Sequence, residues 1–272
     1  MSWRDLFRRQ PKDKRSMNST EVSKTIDPER YPDLLNAGGL APALQKVLDE
    51  LDAGLRVVEL DEPRFIVYAN VRTGSRSSQV MVAAQERAFS VDFWNQGVQY
   101  GHGWNGELQE VARAIVAFQV RLLTIEALVT DFPWVKPTAN AEAHEQGAEA
   151  FVAEAWQGLL RWLGTSEPVG SPMRRLLPLV IEAEHRAELR KLLPFTSMDH
   201  LCFSRTTGYP YTQDCPVAYP VGDNRFRVMR REGPLGEGDA ARAADLLVAN
   251  LPEGCGAARQ GTAEDRPHEE AE

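Results

Sequence analysis

Apolar and polar positions along the chain alternate between two periods. In LAPALQKVLDELDAG, Leu40, Leu44, Val47, Leu48 and Leu51 recur at three- and four-residue intervals, which predicts a helix stopped by Gly54. Runs rich in β-branched and aromatic residues follow: LRVVELD, RFIVYANVRT, SQVMVAAQ, AFSVDFWN and GVQYGHGW, broken by DEP, TGSRSS, ER and NQG. Short breaks of this kind predict an antiparallel meander, with hairpins at ER and NQG. Alternation in RFIVYANV places Phe65, Val67, Ala69 and Val71 on one face, with Tyr68 and Asn70 on the other.

The period then lengthens. NGELQEVARAIVAFQVRLLTIEALVTDFPW carries Leu108, Val111, Ala112, Ile115 and Phe118 on one stripe, with Asn105 as N-cap and a stop at Asp131 to Pro133. AEAHEQGAEAFVAEAWQGLLRWLG places Phe151, Val152, Trp156, Leu159, Leu160 and Leu163 at core spacing and ends at Gly164. LLPLVIEAEHRAELRKLLPF predicts a helix that begins after Pro178 and stops before Pro194. Beyond it, HLCFSR is a strand, TTGYPYTQDCP a turn, VAYPVGDNRFRVMR two strands around GDN, and GDAARAADLLVANL a closing helix. The order is that of an α+β fold: an antiparallel β meander plus a C-terminal β-hairpin, packed with about five helices. Residues 1–30 form a flexible basic N-terminal segment, 31–252 a single domain, and 253–272 a disordered acidic tail.

Composition narrows the partners. Hydrophobic residues at 43% and charged residues at 26% are those of a soluble globular protein. A net charge of -8 argues against nucleic acid, whose phosphates need a clustered positive surface. No apolar run approaches the ~20 residues of a membrane span. MSWRDLFRRQPKDKR lacks the apolar centre of a secretory signal. Cys202, Cys215 and Cys255 are too few for a disulfide framework, so a reducing cytoplasm is expected.

Candidate chemistry concentrates in LCFSRTTGYPYTQDCPVAYP. Arg205 offers a planar fork of donors for a carboxylate or other anion, with Ser204, Thr206, Thr207 and Tyr209 as neutral hydrogen-bonding groups beside it. Arg205, Tyr209, Tyr211 and Asp214 are the expected contact residues. The competing reading is structural: a wide turn with Gly208 at positive φ, stiffened by Pro210 and Pro216. For catalysis the candidates are His200 and Cys202, two positions apart and so on one strand face. Cys215 is a candidate resolving thiol, while Asp199 would need a bend in the strand to orient His200. A free cysteine in a strand otherwise packs as a small hydrophobe.

Elsewhere, AEAHEQGAE brings Glu142, His144 and Glu145 together, but Gly147 and Ala148 stand where a second ligand would be needed. A solvated first helical turn is expected there. The glycine-rich GHGWNG has neither the spacing nor the lysine of a phosphate loop. No metal and no cofactor are expected.

Several phrases in order, FWNQGVQYGHGWNGELQEVARAIVAFQ, DFPWV, AEAHEQG, LLPLVIEAEHRAELRKLLPFTS and LCFSRTTGYPYTQDCPVAYPVGDNRFRV, resemble an actinobacterial domain-of-unknown-function family, number 6193, described as natural product biosynthesis proteins. The resemblance covers roughly residues 55–232. It implies an accessory role in making a natural product, such as a ribosomally made modified peptide, with no established activity to carry over. Relatives often have a cysteine where this chain has Thr206, so thiol chemistry at that position cannot operate here. The expected function is binding of a precursor peptide or partner enzyme by a sheet edge or a groove beside the tyrosines. An uncharacterised enzyme acting on a cluster intermediate and an immunity-type toxin-binding protein are the alternatives.

Overall fold

Breaks in apolar periodicity, more than the periodicity itself, set the element boundaries. The computed structural model describes residues 26–58, 66–166, 171 and 173–265. The N-terminal segment up to residue 25, Phe65 and the end of LRVVELD lie outside the described residues. Contacts group the chain into two compact units, where the sequence predicted a single domain over residues 31–252. One takes the chain up to Thr73 with Ser77–Val91 and Gly103–Leu122. The other takes Gly74–Arg76, Asp92–His102 and the chain from Leu123 onward. Ten strands among the described residues form two antiparallel sheets, ordered β1-β2-β3-β4-β5 and β10-β9-β8-β7-β6. The α+β class is as the sequence predicts.

In the first unit, α1 (Pro32–Ala37) and α2 (Leu40–Glu50) precede β1 (Tyr68–Thr73) and β2 (Arg76–Val82). β3 (Phe89–Asn95) and β4 (Val98–Asn105) contribute residues to both units, and α3 (Leu108–Gln119) returns to the first. Leu40, Leu44 and Leu48 of α2 are buried, as are Ala69, Val71, Val80, Phe89 and Val91 of the strands. The predicted stripe of α3 is wholly buried. Gln119 Nε2 ends that helix by donating to Val71 O (3.1 Å) and Ser78 Oγ (2.9 Å). Asn105 is not the N-cap: Glu107 holds that position, and Asn105 Oδ1, two residues earlier, accepts from the Glu107 N–H (2.8 Å).

The predicted helix over 105–130 is broken. Leu122 adopts φ +56°, and a second helix, α4 (Ile125–Asp131), starts behind Thr124, whose Oγ1 accepts from Ala127 N–H (3.3 Å). β5 (Val135–Pro137) follows. The next predicted helix is likewise divided, at Gly147 (φ +124°), into α5 (Ala141–Gln146) and α6 (Ala148–Arg161). α6 runs into a single π turn, Trp162–Ser166. A 3₁₀ turn (Met173–Leu176), α7 (Leu177–Glu184) and α8 (Ala187–Arg190) replace the third predicted helix.

The second sheet is larger than the predicted hairpin. HLCFSR forms β7 (His200–Ser204), and VAYPVGDNRFRVMR forms β8 (Val217–Gly222) and β9 (Arg225–Arg230), as expected. β6 (Leu193–Ser197) and β10 (Gly233–Gly238) were not predicted. Pro194 stops the helix, but on an edge strand it breaks no essential ladder bond. β10 is GPLGEG with an irregularity between Pro234 and Gly236, so it shows no alternation. One face of this sheet, formed by Leu201, Phe203, Ala218, Phe226 and Val228, is at most 2% exposed. The buried Trp156, Leu179, Val180, Ala183, Ala243, Ala244 and Leu247 of α6, α7 and α9 (Ala240–Ala249) complete that core. Trp156 lies 6.1 Å from the Phe203 ring and donates Nε1–H to Leu192 O (3.2 Å).

The chain after residue 253, predicted to be disordered, is fastened as far as Asp265. Ala258 N–H donates to Lys191 O (2.8 Å), Arg259 N–H to Arg205 O (3.1 Å), and Ala263 N–H to Pro210 O (2.8 Å). Small residues let this strap lie close to its neighbours, which low hydrophobicity alone concealed.

Candidate functional site

All the functional residues expected from the sequence lie in the second unit. There the segment from Arg205 to Pro216 forms an irregular loop between β7 and β8. Its conformation is set from inside by hydroxyls. Ser204 Oγ accepts from Thr206 N–H (3.0 Å) and Thr212 N–H (3.2 Å) and donates to Thr206 O (2.8 Å). Thr212 Oγ1 accepts from Arg205 N–H (2.8 Å). Ser204, Thr206, Thr207 and Thr212 are all buried. The hydroxyls expected to face a guest are therefore spent on the loop itself.

Close approaches seat the loop against the β3–β4 hairpin and against the C-terminal strap. Tyr209 N–H donates to Gly97 O (3.0 Å), and Gly208 N–H donates to Gly261 O (2.8 Å). A Cβ on Gly208 would lie 1.7 Å from Gln96 O, and one on Gly97 would lie 2.2 Å from Tyr209 O. Gly208 is required for space, not for the positive φ expected from the sequence; the positive φ values of this contact belong to Gln96 and Gly97. The Tyr209–Pro210 peptide is cis.

Thr207 connects the loop to a buried relay. Its Oγ1 is 3.0 Å from His144 Nε2, and His144 Nδ1 is 2.8 Å from Tyr100 OH. Tyr100 OH in turn accepts from Asn95 Nδ2 (3.1 Å). His144 is fully buried and meets the Phe151 ring edge-on at 5.0 Å. Burial pushes its pKa down to about 4, so the ring is neutral and uses one nitrogen as donor and the other as acceptor. The expectation of a solvated turn at AEAHEQG is corrected: only Glu142, Glu145 and Gln146 face outward, and Glu145 Oε1 accepts from Ile125 N–H (3.0 Å).

Arg205 is not a free clamp. Its Nη2 meets Asp214 Oδ2 at 2.5 Å, with the arginine side chain 19% exposed. Two residues expected to contact a guest separately instead neutralise each other. Tyr209 and Tyr211 are different. Tyr209 is 68% exposed, and its ring stands edge-on to Tyr211 at 5.8 Å. Tyr211 stacks on Phe195 of β6 at 4.5 Å, and burial raises its hydroxyl pKa.

Tyr211 also walls an open groove of about 290 Å³. α6 and the start of the π turn line it with Phe151, Leu159 and Trp162, and β6 contributes Leu193 and Pro194. Glu154 is the one formally charged lining residue, and its carboxylate is paired with Arg161 (2.5 Å). Gly158 lies in the last turn of α6 on the lining of this space, and nothing stands within 4 Å of where its Cβ would be. A glycine inside a helix costs up to about 1 kcal/mol relative to alanine, and here no packing contact requires it. A π turn adjoining the same wall is a further departure of the kind often found at functional sites. The sequence reading missed this helix wall; Gly158 between Trp156 and Leu159 was its available signal.

The catalytic candidates are placed but not activated. His200 Nδ1 lies 3.1 Å from Asp199 Oδ1, because Met198 at φ +56° bends the chain as that contact requires. The His200 ring, however, stacks on Tyr219 at 4.6 Å. Cys202 Sγ donates to His200 O (3.8 Å) rather than to the imidazole. Burial pushes the Cys202 thiol up to about 11, away from a reactive thiolate. Cys215 is likewise buried, and burial raises its thiol pKa as well. Among the described residues no cluster of histidine, cysteine and carboxylate side chains is suited to a metal ion, and no helix is long and apolar enough to cross a membrane.

Comparison with curated proteins and with solved structures finds no match. Residues 150–262 match the model of DUF6193, a family of unknown function. That stretch begins later and runs further than the phrases read from the sequence, and it takes in α6, the second sheet, the tyrosine-rich loop and most of the strap. Over residues 150–262 the chain matches domain-of-unknown-function family 6193.

Proposed function

We propose that this protein is an accessory binding protein of bacterial natural product biosynthesis, working in the cytoplasm. Its groove receives an apolar or aromatic side chain of a precursor peptide that also carries basic residues. The observation that carries this reading is the groove lined by Phe151, Trp162 and Tyr211, with Gly158 on its lining beside open space. A volume of about 290 Å³ lies at the lower end of the ~300–1,000 Å³ typical of small-molecule sites. It suits one or two side chains better than a dinucleotide-sized cofactor. The net charge of -8 favours a cationic peptide.

Side-chain insertion is favoured over strand addition, since the neighbouring edge strand β6 is five residues long and contains Pro194. An enzymatic role has less support. Arg205 is held by Asp214, the Cys202 thiol is protonated, and the groove lining lacks a pair of groups for acid–base work.

The test uses two acetylated, amidated hexapeptides, one alternating phenylalanine with lysine and one alternating serine with lysine. The first shifts the Trp162 indole and Tyr211 ring resonances; the serine peptide leaves them in place. Trp162→Ala weakens binding at least tenfold, and Gly158→Leu, which fills the groove, abolishes it while far-UV circular dichroism is unchanged. Equal binding of both peptides, or shifts confined to other residues, overturns the groove assignment. The biosynthetic role is tested in the native host, where Gly158→Leu reduces product titre; an unchanged titre overturns it.

A further inference from the structure

Glu154, on the groove lining, is held by a cation of its own helix, Arg161. Neighbours on a helix face ordinarily pair at three or four residues. The step from Glu154 to Arg161 covers about 10.5 Å of helix axis, so both side chains must extend along it to meet. Their Nη2–Oε1 distance is 2.5 Å. At about 100° per residue, Glu154, Gly158 and Arg161 fall within about 60° of one another, with Gly158 between the other two along the axis. Glycine leaves that span uncovered, since nothing lies within 4 Å of its Cβ position.

The pair is loosely held. The Arg161 side chain is 63% exposed and that of Glu154 34%, and neither has another charged partner among the described residues. Exposed pairs of this kind add little to stability, because water screens the attraction and two long side chains lose rotamer freedom. The backbone is fixed independently of them: Thr165 Oγ1 donates to Arg161 O (2.6 Å), and Trp162 N–H donates to Gly158 O. Arg161 therefore releases Glu154 by side-chain rotation alone. Glu154 is meanwhile the one formally charged group on a lining that carries Phe151, Trp162 and Tyr211. Aromatic faces attract cations, so a carboxylate on the same lining suits an ammonium or guanidinium group.

We propose, on the reading that the groove is the peptide site, that Glu154 recognises a lysine or arginine side chain of the peptide and that Arg161 is its internal competitor. The peptide cation enters over Gly158 and takes the carboxylate, while Arg161 turns out to solvent. One ion pair replaces another, so a free cation gains little. Arg161 is tethered and competes at a high effective concentration. Only a cation carried by a peptide already anchored in the groove through an aromatic side chain matches it. An uncharged peptide leaves the internal pair in place. The guest selected is therefore a segment with an aromatic and a basic residue close together.

The experiment titrates two hexapeptides, phenylalanine alternating with lysine and phenylalanine alternating with glutamine, into the full chain as wild type, Glu154→Gln and Arg161→Gln. Arg161→Gln binds the lysine peptide roughly two- to fivefold more tightly than wild type, and Glu154→Gln binds it more weakly by a similar factor. The glutamine peptide binds all three proteins alike. Both differences shrink at high salt, which screens exposed charges. In wild type, saturation with the lysine peptide moves the Arg161 guanidinium nitrogen resonances to those of an unpaired arginine, a measurement that needs no variant to fold. Arg161 resonances that stay in place at saturation, weaker lysine-peptide binding by Arg161→Gln, or equal losses for both peptides in Glu154→Gln overturn the proposal. In each of those cases, shifts at Trp162 and Tyr211 still uphold the groove. Failure of both peptides to bind any of the three proteins overturns the groove reading itself, and this proposal with it.

Discussion

Lowering the pH from 7.5 to 5 puts the His144 relay under load. In the unfolded chain this histidine titrates near its ordinary 6.5, whereas in the fold burial holds it down to about 4. Between those values the unfolded chain carries the additional proton. The contribution is therefore complete above pH 6.5 and is lost as pH falls toward 4. A shift of that size amounts to roughly 3 kcal/mol in full, of which about 2 kcal/mol is lost by pH 5. No solvent screening reduces it, because the ring is fully buried. Both ring nitrogens are engaged, with Tyr100 OH and Thr207 Oγ1, so a proton on the accepting nitrogen also ends a hydrogen bond.

The measurement is urea unfolding of wild type and His144→Gln at the two pH values, followed by tryptophan fluorescence. Wild type loses about 2 kcal/mol more than the variant over this interval. The difference between the two proteins removes acid effects from other groups, such as the lowered carboxyls of Asp33 and Glu237. Equal losses, or an imidazole resonance that titrates near 6.5 in the folded protein, would refute a buried neutral His144.

Two further substitutions test the loop and the groove wall. Gly208→Ala places a methyl group 1.7 Å from Gln96 O and destabilises by about 3 kcal/mol or more in urea unfolding; a cost under about 1 kcal/mol would show that the loop does not seat there. Gly158→Ala meets only open space and raises stability by about 0.5–1 kcal/mol through helix propensity. A loss of stability on calorimetry would mean that the groove is narrower than described.

How much was legible followed the range of the physics involved. The stripe Leu108, Val111, Ala112, Ile115 and Phe118 is a local pattern that any partner would bury, and all five are buried. The same holds for β7, β8, β9 and the closing helix, whose Asp239 side chain accepts from Arg242 N–H (2.9 Å) as an N-cap. Helix breaks at Leu122 and Gly147 were not legible, because neighbouring apolar residues keep helical spacing across them. β6 and β10 were missed because Pro194 and four glycines or prolines in GPLGEG read as breakers. Edge position tolerates them, and edge position is a property of the assembled sheet.

At the site, the sequence by itself determined that LCFSRTTGYPYTQDCPVAYP would be an unusual loop, since prolines, glycine and clustered hydroxyls restrict the backbone wherever they occur. It also determined the aromatic character of that loop. Only the tertiary structure decided what those groups do. It turned Arg205 toward Asp214, faced the threonines inward, and made Gly208 a spacer against Gln96. It also buried His144 between Tyr100 and Thr207 and brought Tyr211 and Trp162 to the lining of one groove. The reason is that hydrogen-bond pairing, desolvation and concavity depend on groups distant along the chain, which no local pattern records.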